Sequence, residues 1–121
     1  TITDGRTGNM PTMAAAVGDE AAIKDVAAHV LSLSGRKGTG DAATGKTKFA
    51  LCAACHGQDG KGNQMLGAPN LTDNVWLYGG DETSIIATIN HGRSGAMPSF
   101  KGQLSEEKIH VLTAYVYSLS K

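Results

Sequence analysis

An all-α fold is the class this sequence predicts, and three observations carry the prediction. Two stretches place apolar residues at helical spacing: Ile23, Val26, Val30 and Leu33, then Ile109, Leu112, Val116 and Leu119. Both sets follow i, i+3, i+7, i+10, which is one face of a helix. Helix-capping residues stand before the helical stretches, with Asp19, Asp41 and Ser105 each placed to accept a backbone N–H of the first turn. No segment alternates apolar and polar residues well enough to read as a strand.

Taken in order, residues 1–18 read as loop, punctuated by Gly5, Gly8, Pro11 and Gly18. Asp19 caps a helix running to about Leu33. Residues 35–41 form a glycine-rich linker poor in apolar groups. Asp41 caps a second helix that carries Phe49 and runs into Cys52. Residues 57–74 are glycine-rich and expected to be irregular. Glu82 to Asn90 is a short helix with Ile85, Ile86 and Ile89 inward, and Gly92 to Gly102 is loop again. Ser105 opens the last helix. Only 5% of the 121 residues are aromatic. A core drawn from side chains alone would be marginal at this size, so a bound apolar group is expected to complete it.

The chemistry is concentrated in Cys52-Ala53-Ala54-Cys55-His56, which uses both cysteines of the chain. Two thiols at this spacing can each form a thioether with a vinyl group of one haem, and the histidine after them then lies under the iron as proximal ligand. A redox dithiol would want a strand-turn-helix setting that is missing here. A structural zinc site would need four ligands, and no second cysteine pair exists. One covalent haem c is therefore the expected cofactor, with electron transfer as its first use.

The sixth iron ligand should be Met, His or Lys on a segment able to reach the distal haem face. Met97 is the choice: it sits in a loop between two helices, and Pro98 restricts it to an extended conformation. Its neutral thioether favours ferrous iron and raises the reduction potential. Met65 lies too soon after His56, and His91 abuts a helix end whose carbonyls it could cap. His29 and His110, one on each amphipathic helix, are expected in solvent.

An internal repeat complicates the boundaries. Residues 5–11, Gly-Arg-Thr-Gly-Asn-Met-Pro, return at residues 92–98 as Gly-Arg-Ser-Gly-Ala-Met-Pro, and each copy leads into an amphipathic helix ending Ser-Leu-Ser. No Cys-x-x-Cys-His precedes the first copy. Residues 1–34 are therefore read as the C-terminal remnant of a preceding haem c domain, and residues 42–121 as a cytochrome domain with one haem. Met10 and Met13 then belong to the other haem, and Met10 is expected to have no iron to bind. The orphaned helix of the remnant is expected to cover its apolar face on the second domain or on a neighbouring chain; an independent interaction arm is the alternative.

Eleven basic residues balance eleven acidic ones. That balance argues against nucleic acid and against a broad electrostatic membrane patch. No apolar run approaches membrane-spanning length.

From Cys52 to Lys121 the chain resembles a class I cytochrome c. It is more closely similar to the C-terminal haem domain of the dihaem subunit, CcoP or FixP, of cbb-type haem-copper oxidases. The segments that carry the likeness are Cys-Ala-Ala-Cys-His-Gly-Gln-Asp-Gly-Lys-Gly-Asn, Gly-Ala-Pro-Asn-Leu-Thr-Asp, Asn-Val-Trp-Leu-Tyr-Gly-Gly and Gly-Arg-Ser-Gly-Ala-Met-Pro. The resemblance implies a class I cytochrome c fold, a small helical bundle wrapped around one covalent haem c. It implies that the Pro69 carbonyl accepts from His56, that Gly45 and Phe49 form a close crossing with the last helix at Tyr115, and that Trp76 and Arg93 serve the haem propionates or its wall. It further implies a domain that relays electrons and makes or breaks no substrate bond. Its partners would be donor c-type cytochromes and the catalytic oxidase subunit, in the bacterial periplasm, with the parent protein anchored in the inner membrane. A peroxidase or dehydrogenase cytochrome domain, or a gas-binding haem, would instead need a labile sixth ligand.

Overall fold

The structure is a computed structural model and describes residues 1–120. In chain order the elements are β1 (Arg6–Met10), α1 (Ala14–Val17), α2 (Glu20–Ser32), α3 (Ala42–Lys48), α4 (Ala50–His56), a 3₁₀ turn (Gln64–Leu66), α5 (Glu82–His91), β2 (Arg93–Met97) and α6 (Glu106–Leu119). The expected caps are present: the Asp19 side chain accepts from Ala22 N–H, Asp41 from Ala43 and Ser105 from Lys108. Three departures concern regular structure, the first being that Ala14–Val17, read as loop, form the short helix α1. The expected single helix through residues 42–52 is two, because at Phe49 the bonding tightens and its carbonyl accepts from both Cys52 and Ala53 N–H. The repeated Gly-Arg-x-Gly-x-Met-Pro segments, read as loop, pair as the strands β1 and β2. Strand pairing of this kind is a long-range event, which local patterning does not report.

The chain divides into two compact units, one of residues Asn9–Ser94 and one of Thr1–Gly8 with the chain from Gly95 onward. The dividing line falls within β1 and β2, so each half of the pairing is described with its own unit. This division cuts across the expected boundaries at residues 34 and 42.

In the larger unit, α2 lies between α3 and α5 and supplies most of the core. Ile23, Val26, Ala27, Val30 and Leu31 are buried with Val17, Phe49, Ala53, Leu71, Ile85 and Ile89. Helix α2 therefore covers its apolar face within the unit that carries the haem motif. Gly45 makes this possible: a Cβ there would overlap the Asp25 carbonyl of α2, so only glycine allows the backbones to meet. The Gly45–Phe49 crossing expected for the last helix is made by α2 instead. Tyr115 is 61% exposed on α6, a helix with no buried residue along its length.

Residues 35–41 are no slack linker either. Arg36 donates to the Gly80 carbonyl (2.7 Å), the Thr39 N–H and hydroxyl both reach Glu82, and the Asp41 N–H reaches Asp25. These bonds fix the turn that brings α3 back along α2.

His29 corrects a further expectation. It is buried, with its ring edge-on to Phe49 at 4.9 Å between centroids, whereas His110 is exposed as expected. A helical-face argument assumes a single buried side, but α2 packs on two neighbours and buries its flanks as well. Burial, and then repulsion from Lys46, holds the His29 pKa below its ordinary value. The unfolded chain then binds this proton more readily than the folded one. The stability contributed is complete above the unfolded-state pKa, about 6.5, and is lost as pH falls from there toward the lower folded-state value. The urea midpoint of the protein should fall between about pH 7.5 and pH 5.5, and less steeply in His29→Gln. Parallel profiles for the two proteins would refute this origin.

In the smaller unit, α6 comes after a segment held against residues 1–5. Phe100 N–H donates to Ile2 (3.1 Å), Lys101 N–H to Thr3 (3.1 Å), and the Ser99 hydroxyl to the Thr3 carbonyl (2.6 Å). Among the described residues no helix is long and apolar enough to cross a membrane.

Candidate haem site

Helix α4 carries the whole attachment motif. Cys52 and Cys55 lie three residues apart on it, His56 closes its last turn, and Gly57, with φ +83°, stops the helix directly after the histidine. The loop beyond returns to the same place. Gly62 N–H donates to the His56 carbonyl (2.7 Å), Asn63 and Ala68 bridge, and Leu71 N–H donates to Gly60 (2.7 Å). A Cβ on Gly62 would overlap the Ala68 carbonyl and crowd Pro69, so glycine permits the fold-back.

This fold-back sets the Pro69 carbonyl 3.1 Å from Nδ1 of His56, which is itself buried. Nδ1–H donates to that carbonyl, so the ring presents Nε2 with its lone pair free. A buried imidazole fixed in this tautomer is a metal-ligand arrangement. The thiols suit covalent attachment better than redox cycling. Burial, with repulsion from Cys55 added, pushes the Cys52 thiol up, the opposite of the shift a redox-active dithiol needs. No group of three or more His, Cys, Asp or Glu among the described residues could hold a bare metal ion. The larger unit also exposes bulky apolar side chains in one stretch only, at Leu51, Met65, Leu66, Val75, Leu77 and Tyr78. That stretch begins beside the attachment motif at Leu51 and continues through the chain that follows it. An apolar macrocycle held there would have the surface it needs, so the residues present fit a haem.

Trp76 and Arg93 are both engaged within the larger unit. The Trp76 indole N–H donates to the Asp73 carbonyl (3.2 Å), Arg36 lies 5.7 Å from the centre of its ring, and the ring packs beside the core. Its donor is thus used inside its own loop. Arg93 is half-buried: Nε donates to the Thr88 hydroxyl (3.0 Å), and the guanidinium carbon stands 4.5 Å from the centre of the Tyr78 ring. This pair of contacts anchors the arginine at the end of α5.

The structure brings Cys52, Cys55, His56, Pro69, Trp76 and Arg93 into one unit, and Met97 falls in the other, 38% exposed. The methionines of the larger unit are Met10, Met13 and Met65, of which Met65 is 96% exposed. Sequence order sets Met10 aside, because its repeat has no haem motif of its own. The equivalence of Met10 and Met97 in the repeat is the signal that gives both equal weight.

Comparison with known proteins agrees with this geometry. The family model described as cytochrome C oxidase, cbb3-type, subunit III, matches residues 40–116. The Cbb3-type cytochrome c oxidase subunit CcoP of Rubrivivax gelatinosus is 57% identical over 122 residues, which cover 100% of this chain and 40% of that protein. Subunit FixP of Bradyrhizobium diazoefficiens is 54% identical over 84% of the chain and 36% of its own length. Subunit FixP of Azorhizobium caulinodans is 47% identical over 96% of the chain and 40% of its own length. The chain thus spans about 40% of the length of the curated relatives it matches. An attachment helix, a proline-fixed histidine and this likeness agree, and the chain belongs to the family of subunit III of cbb3-type cytochrome c oxidases.

Proposed function

We propose that this chain is an electron-transfer domain carrying one covalent haem c, with His56 as proximal ligand and a Met-Pro methionine as distal ligand. Electrons pass from a donor c-type cytochrome toward the catalytic subunit of a haem-copper oxidase, on the periplasmic side of the bacterial inner membrane that anchors the parent protein. The observation that carries this reading is the 3.1 Å contact from His56 Nδ1 to the Pro69 carbonyl, on a helix that also bears Cys52 and Cys55. When bound, the haem supplies a one-electron couple between ferric and ferrous iron.

The chain's own residues hold and tune that couple. Cys52 and Cys55 would hold the haem through thioether bonds. The Pro69 carbonyl orients the His56 ring and fixes its tautomer. The exposed apolar side chains of Leu66, Val75, Leu77 and Tyr78 would supply surface for the haem to cover, and a lowered local dielectric would tune its potential along with ligand type. Partner contacts would be small and short-lived, as redox encounters are.

The test is to mature the chain with haem and mix the reduced protein with a cbb3 oxidase. One haem per chain, a reversible one-electron titration, and oxidase-dependent reoxidation are the expected results. A haem that binds carbon monoxide as fast as an open site, or that oxidises substrate with peroxide, would overturn the reading. His56→Ala should leave haem attached but abolish the low-spin ferric spectrum, because the thioethers do not depend on the imidazole.

A further inference from the structure

Residues 72–80 lead from the haem-motif loop to α5 and form neither helix nor strand, so no backbone ladder fixes them. Their own bonds are short in sequence. Thr72 reaches Asn70, the Val75 N–H reaches the Asp73 carboxylate, and the Trp76 indole reaches the Asp73 carbonyl. Among the described residues, one hydrogen bond ties this loop to a distant part of the chain. It runs from Arg36 Nη1 to the Gly80 carbonyl (2.7 Å), across 44 residues of sequence.

The base of that arginine is fixed. Gly35, with φ +77°, ends α2, and the Arg36 N–H donates back to the Leu31 carbonyl (3.0 Å). Such a closure of a helix end sets the course of the chain that leaves it. Arg36 Nε then donates to the Ser34 hydroxyl (3.0 Å), which leaves the Nη1 edge and the face of the guanidinium for the loop. Both are used. Nη1 holds Gly80, and the guanidinium carbon stands 5.7 Å from the centre of the Trp76 ring. Gly80 lies against that same ring, because a Cβ there would overlap the indole. The arginine thus meets the tryptophan directly and again through the glycine. Donating in its plane while facing an aromatic ring is open to a guanidinium and not to an ammonium. The same segment grips the chain just beyond the loop, where the Thr39 N–H and hydroxyl both donate to the Glu82 carboxylate (2.7 and 2.9 Å).

What the loop carries gives this hold a consequence. Trp76 packs on the buried cluster against which Cys52 also packs. Val75 and Leu77 flank it in sequence and are largely exposed, as apolar surface that a haem would cover. Ferric haem carries one more positive charge than ferrous haem. A wall that keeps water away therefore favours the ferrous form and raises the potential, and a loop free to move would lower it.

We infer that Arg36 is a positioning residue for the haem: it holds the loop of Trp76 and Gly80 in place as a wall of the haem site and so sets the reduction potential. The inference rests on the covalent haem c reading above. Arg36 acts through Trp76 and Gly80 and not by contact with the iron.

The experiment compares Arg36→Ala, Arg36→Lys and Lys37→Ala in the haem-loaded 121-residue chain. Arg36 is exposed and its backbone bond survives substitution, so the variants keep the end of α2. Lys37→Ala is the charge control, removing one cation from the neighbouring exposed residue. Two quantities are read: solvent exchange of the Trp76 indole N–H, by NMR of the diamagnetic ferrous protein, and the midpoint potential. Trp76 is the one tryptophan of the chain, so its indole signal is unambiguous. Arg36→Ala should speed the exchange roughly tenfold, as loss of a charged hydrogen bond implies, and lower the potential. Arg36→Lys keeps the charge without the planar fork and should move both readouts in the same direction. Lys37→Ala should leave both at their starting values. Unchanged exchange in Arg36→Ala overturns the inference, because the loop is then held without the arginine. Faster exchange with an unchanged potential also overturns it and leaves the haem reading intact. Equal falls of potential in Arg36→Ala and Lys37→Ala, or a normal potential in Arg36→Lys, assign the effect to charge alone and refute the positioning role. A chain that takes up no haem overturns the haem reading, and the inference with it.

Discussion

Val26→Asp should abolish the cooperative unfolding transition of the protein, and Leu112→Asp should leave it within about 0.5 kcal/mol of its starting stability. The two positions match in the repeat: Val26 lies on α2 as Leu112 lies on α6. Their surroundings differ. Val26 is 1% exposed at the centre of the α2 face that meets α3 and α5, and Leu112 is 40% exposed. An aspartate at residue 26 would bury a carboxylate with no cation at hand. It would ionise at a cost of several kcal/mol or take up a proton, and either way the valine packing is lost. Against a total stability of 5–15 kcal/mol, roughly, for a domain of this size, that loss is enough to unfold it. Urea denaturation monitored by circular dichroism reads both variants. The reverse outcome, with Leu112→Asp unfolding the protein and Val26→Asp tolerated, would mean that α6 fills the haem-motif domain. The docking of α2 would then be wrong.

Gly45→Ala should lower stability by about 2–3 kcal/mol, and the melting temperature by roughly 10 °C or more. Alanine is the better helix former by about 1 kcal/mol, so the local effect alone would stabilise α3. The tertiary effect outweighs it. The new methyl group would overlap the carbonyl oxygen of Asp25 and crowd the amide of Val26, all backbone atoms that cannot rotate away. The helices must separate, and Val26, Ala27 and Phe49 lose close packing together. Gly102→Ala is the matched control, because nothing lies within 4 Å of a Cβ there and φ is ordinary. Equal melting temperatures for the two variants would show that α2 and α3 do not meet as closely as described.

These two experiments bear on how the fold is chosen. The apolar faces of α2 and α6 have the same spacing, both helices come after a Met-Pro turn, and both end in Ser-Leu-Ser. Only α2 is buried. Its companion residues differ in kind: α2 carries Ala22, Ala27 and Ala28, small enough for close approach to α3, whereas α6 carries Tyr115 and Tyr117. Small side chains let two helix backbones come together over a glycine, and this difference is the visible reason for the preference.

The residues by themselves determined the attachment motif, its cofactor class, the caps at Asp19, Asp41 and Ser105, the helical class and the Pro69 contact that the resemblance implied. Each of these is a local pattern, or a family motif short enough to match residue by residue. Three matters were settled only in three dimensions. His29 is buried because α2 has neighbours on two sides, which a single-face periodicity does not register. Residues 35–41 are held by Gly80, Glu82 and Asp25, groups distant in sequence or on another helix. The third is which copy of the repeat completes the haem-motif unit. Two copies with the same turn and the same apolar spacing are nearly degenerate at the level of local preference, so sequence order is the only guide, and it favours the nearer copy. The assembled core breaks that degeneracy, because the space above Gly45 admits one helix and α2 occupies it.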